Sequence, residues 1–298
     1  MPRSDLAELI PFEMTSFNMD SSVTKIGSSY LVQSTDFFYP IVDDPFTQGQ
    51  ITACNVLSDI YATGVTRIDN VLMLLGIPKT IDRESRSQAA KELIRGFNSI
   101  CEIAEVNVSG GQTVFNPLFL IGGVASSLVS NDELICPNLR PGDVLVLTKR
   151  LGIQAVVNQF IQEKKSGRIN ESTHALMNSA IKSMVRLNKF AAKLMHKYGA
   201  RGSTDVTGFG ILGHADNLAK VSKVAIEITH LPLFSDEVVD DRLLKGNAPE
   251  TSGGLLIALS EENVAGFLND ILVEDEAFVV GKVLEGKGAF LSDQIKLI

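Results

Sequence analysis

Four aspartates occupy settings in which a carboxylate is costly: Asp20 in Met-Asp-Ser-Ser, Asp36 in Ser-Thr-Asp-Phe, Asp59 in Leu-Ser-Asp-Ile and Asp205 in Ser-Thr-Asp-Val-Thr-Gly. None has an adjacent Lys or Arg, and the last three sit beside apolar residues that should bury the backbone. A carboxylate near a core is unfavourable unless it is hydrogen-bonded, paired or bound to a metal. Any one of them reads as an N-cap or turn aspartate bonded to local amides. Together they suit Mg²⁺, which takes a few hard carboxylates plus phosphate oxygens rather than a full protein cage. Several Mg²⁺ ions neutralising a polyphosphate is the chemistry this donor set implies. Asn55 and Asp59 are four apart and share a helix face, with Ser58 beside them. Asp43 and Asp44, before Pro45, could join the set but read equally as a turn.

Two glycine segments could hold the phosphates. Ser109-Gly110-Gly111-Gln112-Thr113 reads as a loop between apolar strands, where backbone amides can approach phosphate or adenine closely. Thr204 to Gly210 leads into a helix whose N-terminus favours anions. No GxxxxGK[ST] string occurs, so neither segment is a Walker A loop. His174, His196 and His230 read as surface or strand-end residues, and His214, just past the glycine turn, reads as structural.

The elements that must position these residues alternate between strand and helix. Tyr30 to Asp36 is a β-rich run; residues 49–63 form a helix stopped by Gly64, and Val71–Ile77 is a buried strand. An amphipathic helix spans about Arg83–Glu105, with Leu93, Phe97, Ile100 and Cys101 at helical spacing. Val106–Val108 and Leu118–Leu128 flank the glycine loop. Pro, Asn and Gly cluster at Pro137–Pro141 and mark a boundary before the strand Asp143–Thr148. One long helix is expected over Glu171–Tyr198, then a glycine-studded turn through Gly213, a helix to Lys220 and further strands at Val224–Ile228, Leu255–Ala258, Phe278–Val283 and Gly288–Leu291. The expected architecture is therefore α/β in two domains, residues 21–137 and 138–298, preceded by an arm over 1–20.

Composition narrows the class. The 298 residues are 45% hydrophobic and 21% charged, ordinary for a globular protein. A net charge of −8 and the lack of a basic stripe argue against a nucleic-acid partner; Lys164, Lys165 and Arg168 read as a solvated loop. Cys54, Cys101 and Cys136 form neither a disulfide framework nor a CxxC pair, which fits a reducing compartment. Asp5, Glu8 and Glu13 fall where a secretory signal would be apolar, and the uncharged stretch between Glu105 and Asp132 carries too many amides and glycines for a membrane span. A soluble, cytoplasmic protein is expected.

Longer strings carry a resemblance. Gln33-Ser-Thr-Asp-Phe-Phe-Tyr-Pro-Ile-Val-Asp-Asp-Pro45, Ala53-Cys-Asn-Val-Leu-Ser-Asp-Ile-Tyr-Ala62, Pro141-Gly-Asp-Val-Leu-Val-Leu-Thr-Lys149, Thr204-Asp-Val-Thr-Gly-Phe-Gly-Ile-Leu-Gly-His214 and Glu250-Thr-Ser-Gly-Gly-Leu-Leu256 resemble selenophosphate synthetase (selenide, water dikinase) of the eukaryotic type. The similarity runs from about Asp20 to the C-terminus. It implies an ATP-binding N-terminal domain and a C-terminal domain of the aminoimidazole ribonucleotide synthetase kind, assembled as a homodimer or as a heterodimer with a full-length relative. It implies the conversion of ATP, selenide and water to selenophosphate, phosphate and AMP, with several Mg²⁺ ions and K⁺ as a further cation. By position, Asp20, Asp36, Asp59 and Asp205 resemble the family's metal-binding aspartates. Phe17, Asn18, Met19, Asp36, Asn55, Asp59, Gly110, Gly111, Gln112, Thr113 and Thr204 resemble its nucleotide contacts.

One family feature has no counterpart. A reactive Cys or selenocysteine closely followed by Lys stands near the family's N-terminus, whereas here no cysteine precedes Cys54 and no lysine precedes Lys25. No catalytic side chain is therefore assigned. Three readings stay open: a synthetase represented by a shortened chain, a paralogue that binds or hydrolyses ATP in a regulatory or partner-binding role, and a thiamine-phosphate kinase-like enzyme.

Overall fold

The computed structural model describes residues 20–298. The expected arm, and with it Phe17, Asn18 and Met19, lies outside the described residues except for Asp20. The first half runs β1 (Ser22–Ile26), β2 (Ser29–Phe38), α1 (Pro45–Ala62), β3 (Asn70–Ile77), α2 (Arg83–Ala104), β4 (Val108–Phe115) and β5 (Leu120–Val129). Its strands form one sheet in the order β1-β2-β5-β3-β4. The second half contributes β6 (Val144–Leu147), α3 (Ile153–Lys165), α4 (Glu171–Met184), α5 (Lys189–Lys197), β7 (Gly202–Asp205), α6 (Gly210–Ser222), β8 (Ala225–Leu231), α7 (Asp241–Leu244), β9 (Leu255–Leu259), α8 (Glu261–Ile271), β10 (Phe278–Leu284) and β11 (Gly288–Leu297). These strands make a second sheet, β11-β8-β10-β6-β9-β7.

Helix α1 is the element on which the two halves meet. Asp44 caps it by accepting the Thr47 N–H at 2.9 Å, and Pro45 supplies a first helical residue with φ already set. The turn reading of Asp43-Asp44 therefore holds, and Asp43 pairs with Lys164 at the end of α3. Val56, Leu57, Ile60 and Tyr61 join the first core with Val32, Val71, Phe97 and Ile121. Ile51 on the same helix packs instead with Ile153, Met177 and Met184 of the second half. Because α1 is covered on nearly all sides, its polar residues cannot turn to solvent and must find partners inside the protein.

Two expectations change. The glycine loop is a strand: Gly110 to Thr113 lie in β4, paired in parallel with β3 through Leu72↔Gly110 and Met73↔Gly111. The ladder slips between Val71 and Leu72, and Gly111 takes φ +145° there, where a Cβ would overlap the Met73 carbonyl. The two glycines serve a bulge and a close strand approach rather than a turn. The long helix is two helices, α4 and α5, broken over 185–188 without a Pro or Gly. Tertiary hydrogen bonds replace helical ones in the break: the Arg186 carbonyl accepts from Lys149 Nζ at 2.7 Å, and the Asn188 side chain reaches α1 and the turn before β9. Strand β7 and helices α3 and α8, which the sequence pattern leaves unmarked, complete the second half.

Helices α1 and α2 touch through glycines. A Cβ on Gly96 would overlap the backbone oxygen of Phe46, and one on Gly49 that of Leu93. On an exposed helix Gly→Ala is favourable by about 1 kcal/mol. Here Gly96→Ala should instead cost about 1–3 kcal/mol in denaturant unfolding, since backbone atoms must move apart. A variant as stable as the parent would show that the two helices are not packed this closely.

Candidate metal and nucleotide site

Each of the four aspartates arrives on a different element. Asp20 precedes β1, Asp36 lies on β2, Asp59 is near the end of α1, and Asp205 is the last residue of β7. Asp36 is two and four residues from Ser34 and Val32, so it shares the face of β2 that α1 covers. In α1, Asp59 sits one turn beyond Asn55 on the face toward β2, where Ser34 Oγ donates to its carboxylate. Carboxylate oxygens of Asp20, Asp59 and Asp205 all lie within 4.8 Å of one another. Asp36 stands beside this trio and shares a hydrogen bond with Asp59.

The cluster is electrostatically strained. Burial, and then the neighbouring Asp205, hold the Asp20 carboxyl well above the usual carboxylate range. Burial followed by the charges of Asp205, Asp36 and Asp20 does the same to Asp59. Burial and Asp205 push Asp36 up to about 7. Among the described residues no Lys or Arg forms an ion pair with any of the four. Asp205 is 1% exposed, and its Oδ1 has no hydrogen-bond partner among the described residues. Unneutralised carboxylates converging on an orphaned buried oxygen are a donor set that fits divalent, oxygen-seeking cations such as Mg²⁺.

Hydrogen-bond donors fix the cluster's outer side. Thr204 Oγ1 donates to Asp20 Oδ1 at 2.6 Å and lies 3.2 Å from His214 Nδ1. The other imidazole nitrogen, Nε2, faces the backbone N–H of Thr207 at 3.1 Å. A backbone N–H can only donate, which assigns His214 as the neutral Nδ1–H tautomer, donating to Thr204 and so turning the threonine hydroxyl toward Asp20. The structural reading of His214 is thus right in kind, but the imidazole supports Thr204 and, through it, Asp20. Ser58 Oγ donates to Asp205 Oδ2 at 2.7 Å.

The other expected site residues are spread out. Asn55 is 8% exposed, and its side-chain oxygen accepts the Ser252 N–H at 2.8 Å, tying α1 to the turn before β9. Ser252 holds φ +50°, and its carbonyl accepts from Lys149 Nζ at 2.8 Å. Burial, then Arg186, pulls the Lys149 ammonium down to about 7. Glu250 accepts the Gly152 and Ile153 N–H groups at 2.7 and 2.9 Å at the start of α3, and burial still pushes its carboxyl up to about 8. Asp36, Gly123, Met73 and Gly111 lie opposite one another across β2, β5, β3 and β4. Three strand spacings place Gly110–Thr113 about 14 Å from Asp36 on an exposed edge strand.

Two regions of the chain match AIR synthase related proteins, the N-terminal domain over residues 18–129 and the C-terminal domain over 140–294. A selenide, water dikinase of Trypanosoma brucei brucei (strain 927/4 GUTat10.1) is 42% identical over 94% of this chain and 80% of its own length. One from Dictyostelium discoideum is 42% identical over 96% of this chain and 84% of its own. Among solved structures, thiamine monophosphate kinase from Aquifex aeolicus superposes with a TM-score of 0.74 at 20% identity, covering 99% of this chain and 97% of that one. E. coli HypE, a hydrogenase maturation protein, gives 0.68 at 17% identity over 88% and 81%. The fold is accordingly the two-part AIR synthase-like one.

The pKa of Asp36 has a testable consequence. Its folded value, about 7, lies above an unfolded value of about 3.9, so the folded chain binds the extra proton between these limits and stability falls as pH rises through that window. Asp36→Asn removes the penalty. In chelator, the variant should exceed the parent by roughly 1 kcal/mol at pH 8, a figure discounted for partial exposure, and the gain should vanish near pH 4. A difference independent of pH would mean that Asp36 titrates normally.

Proposed function

The chain belongs to the selenide, water dikinase family of phosphotransferases, and on that premise we propose that it binds ATP through Mg²⁺ ions held by Asp20, Asp36, Asp59 and Asp205. The reaction we assign is the family's: ATP, selenide and water become selenophosphate, orthophosphate and AMP. The observation that carries this reading is the convergence of the acidic residues, with no ion pair to a Lys or Arg among the described residues, around an oxygen of Asp205 that has no hydrogen-bond partner among them. When bound, the ions would screen the triphosphate and stabilise charge on the phosphoryl oxygens.

The chain's own residues do the positioning. Ser34 and Ser58 donate to Asp59 and Asp205, and Thr204 donates to Asp20, so each carboxylate keeps its remaining lone pairs toward the site. Two of the amides that open α6, those of Gly210 and Leu212, already donate to the Thr207 and Gly246 carbonyls, so phosphate binding in this reading rests on the ions rather than on the helix N-terminus. The attacking nucleophile in this reading is the selenide itself. Burial pushes the thiols of Cys54 and Cys101 up to about 12, so neither supplies a thiolate near neutral pH. We assign nucleotide contact to Thr204, Asn55 and the Gly110–Thr113 segment as well, and the ATP-binding and C-terminal domains to residues 21–137 and 138–298.

Surface and cysteine chemistry support a reading of assembly and location. The sheet face opposite α1 exposes Phe37, Leu72 and Leu128, and Val114 and Phe115 are exposed on the edge strand, an apolar surface suited to a second copy of the chain. We therefore read the protein as a homodimer. Among the described residues no helix is long and apolar enough to cross a membrane, and the three cysteines are free thiols, which suits a cytoplasmic protein.

Calorimetry tests the nucleotide site. Mg²⁺–ATP should bind, and Asp205→Ala or Asp36→Ala should weaken binding at least about tenfold, the effect expected of losing a charged hydrogen-bonding or metal-ligating group. AMP formation that depends on added selenide tests the reaction. Orthophosphate release without AMP would replace the dikinase reading with a simple ATPase, and no ATP binding would remove the site altogether.

A further inference from the structure

Asn188 lies in the break between α4 and α5 and is 3% exposed. Its carboxamide nitrogen stands 2.9 Å from the Gly253 carbonyl oxygen and 2.9 Å from Ser58 Oγ. A carbonyl can only accept, so the group facing Gly253 is the NH₂, and its second N–H is aimed at Ser58. With one lone pair taken there, the Ser58 hydroxyl sends its single proton to Asp205 Oδ2, 2.7 Å away. The chain of donors runs one way, from Asn188 through Ser58 to Asp205. Ser58 is fully buried and Asp205 is 1% exposed, so bulk solvent has little access to supply a substitute donor. Oδ2 is thereby occupied and the carboxylate held, while Oδ1 is left without a partner among the described residues.

We propose that Asn188 is a positioning residue for the divalent-cation site: by orienting the Ser58 hydroxyl it holds one oxygen of Asp205 and presents the other to the ion. The proposal rests on the cation-binding reading given above. It also joins the two halves of the fold at the place where the ligands must meet. Ser58 and Asp59 belong to α1, whereas Asn188 and Asp205 come from the second half. A structural role alone would have Asn188 merely hold the 185–188 break against Gly253, and the two roles are separable because only one passes through Ser58.

The test is a Mn²⁺ titration of the full chain, followed by electron paramagnetic resonance without nucleotide. The parent, Ser58→Ala, Asn188→Ala and the double variant are compared, each also unfolded in denaturant. Asn188→Ala should weaken Mn²⁺ binding by about tenfold, the usual effect of losing a residue behind a metal ligand. Ser58→Ala should do the same, and the double variant should bind no more weakly than Ser58→Ala, since Asn188 acts through that hydroxyl. The stability cost of Asn188→Ala should nonetheless persist in the Ser58→Ala background, because the Gly253 carbonyl loses its donor either way. Asn188→Leu, close in volume and without a donor, should repeat the Mn²⁺ result if the alanine variant fails to fold. Parent-like Mn²⁺ affinity in Asn188→Ala or Asn188→Leu, or an effect that adds fully to that of Ser58→Ala, would overturn the proposal. No Mn²⁺ binding by the parent would overturn the cation-site reading itself, and this inference with it.

Discussion

The constraint on which this structure depends is the repulsion among four buried or half-buried carboxylates that share one small volume. Charges of like sign at such distances cannot all ionise without a counter-charge, and among the described residues no Lys or Arg forms an ion pair with any of them. Three of the four are accordingly held above the normal carboxylate range, by burial first and by each other second. A protein selected only for stability would have no reason to keep such a cluster. Such a cluster inside an otherwise well-bonded core is what the proposed cation site would require.

The architecture around the cluster serves to keep these groups from drifting apart. Helix α1 is gripped from both sides, by the first sheet and α2 through the Gly49 and Gly96 contacts, and by the second half through Ile51, Asn55 and Ser58. Lys149, Ser252 and Glu250 add buried bonds on the second-half side, each meeting backbone groups that would otherwise be unsatisfied. Lys149 spends its hydrogen bonds on the Arg186 and Ser252 carbonyls, although it is near enough to Asp205 to feel that charge. These side chains fix the placement of β7 and the β9 turn against α1, and so bring Asp205 within reach of Asp20 and Asp59.

Much of this was legible in the chain itself. The four aspartates stood out because apolar neighbours and absent cations made each one costly, and the structure gathers three of them within ligand distance with Asp36 alongside. The alternation of strand and helix was enough for the α/β class. What stayed hidden was hidden for physical reasons. Gly110-Gly111 has the local chemistry of a turn, and only pairing with β3 makes it a strand. The sequence from Glu171 to Tyr198 keeps helical periodicity straight through Asn188, so nothing local marks a break that is stabilised by partners at Ser58 and Gly253. The hydroxyls of Ser34 and Ser58 carried no long-range signal, since a serine donor is recognised only by the acceptor that folding brings to it.

The proposed site requires that divalent cations complete the acidic cluster. The most direct measurement is the unfolding midpoint of the protein, without nucleotide, as Mg²⁺ replaces a monovalent salt at constant ionic strength. A ligand that binds only the folded state stabilises it in proportion to the logarithm of its concentration above Kd. The midpoint should rise with Mg²⁺ in this way, and the response should be lost in Asp205→Asn. A midpoint indifferent to Mg²⁺, or one that rises equally in that variant, would contradict the proposed site.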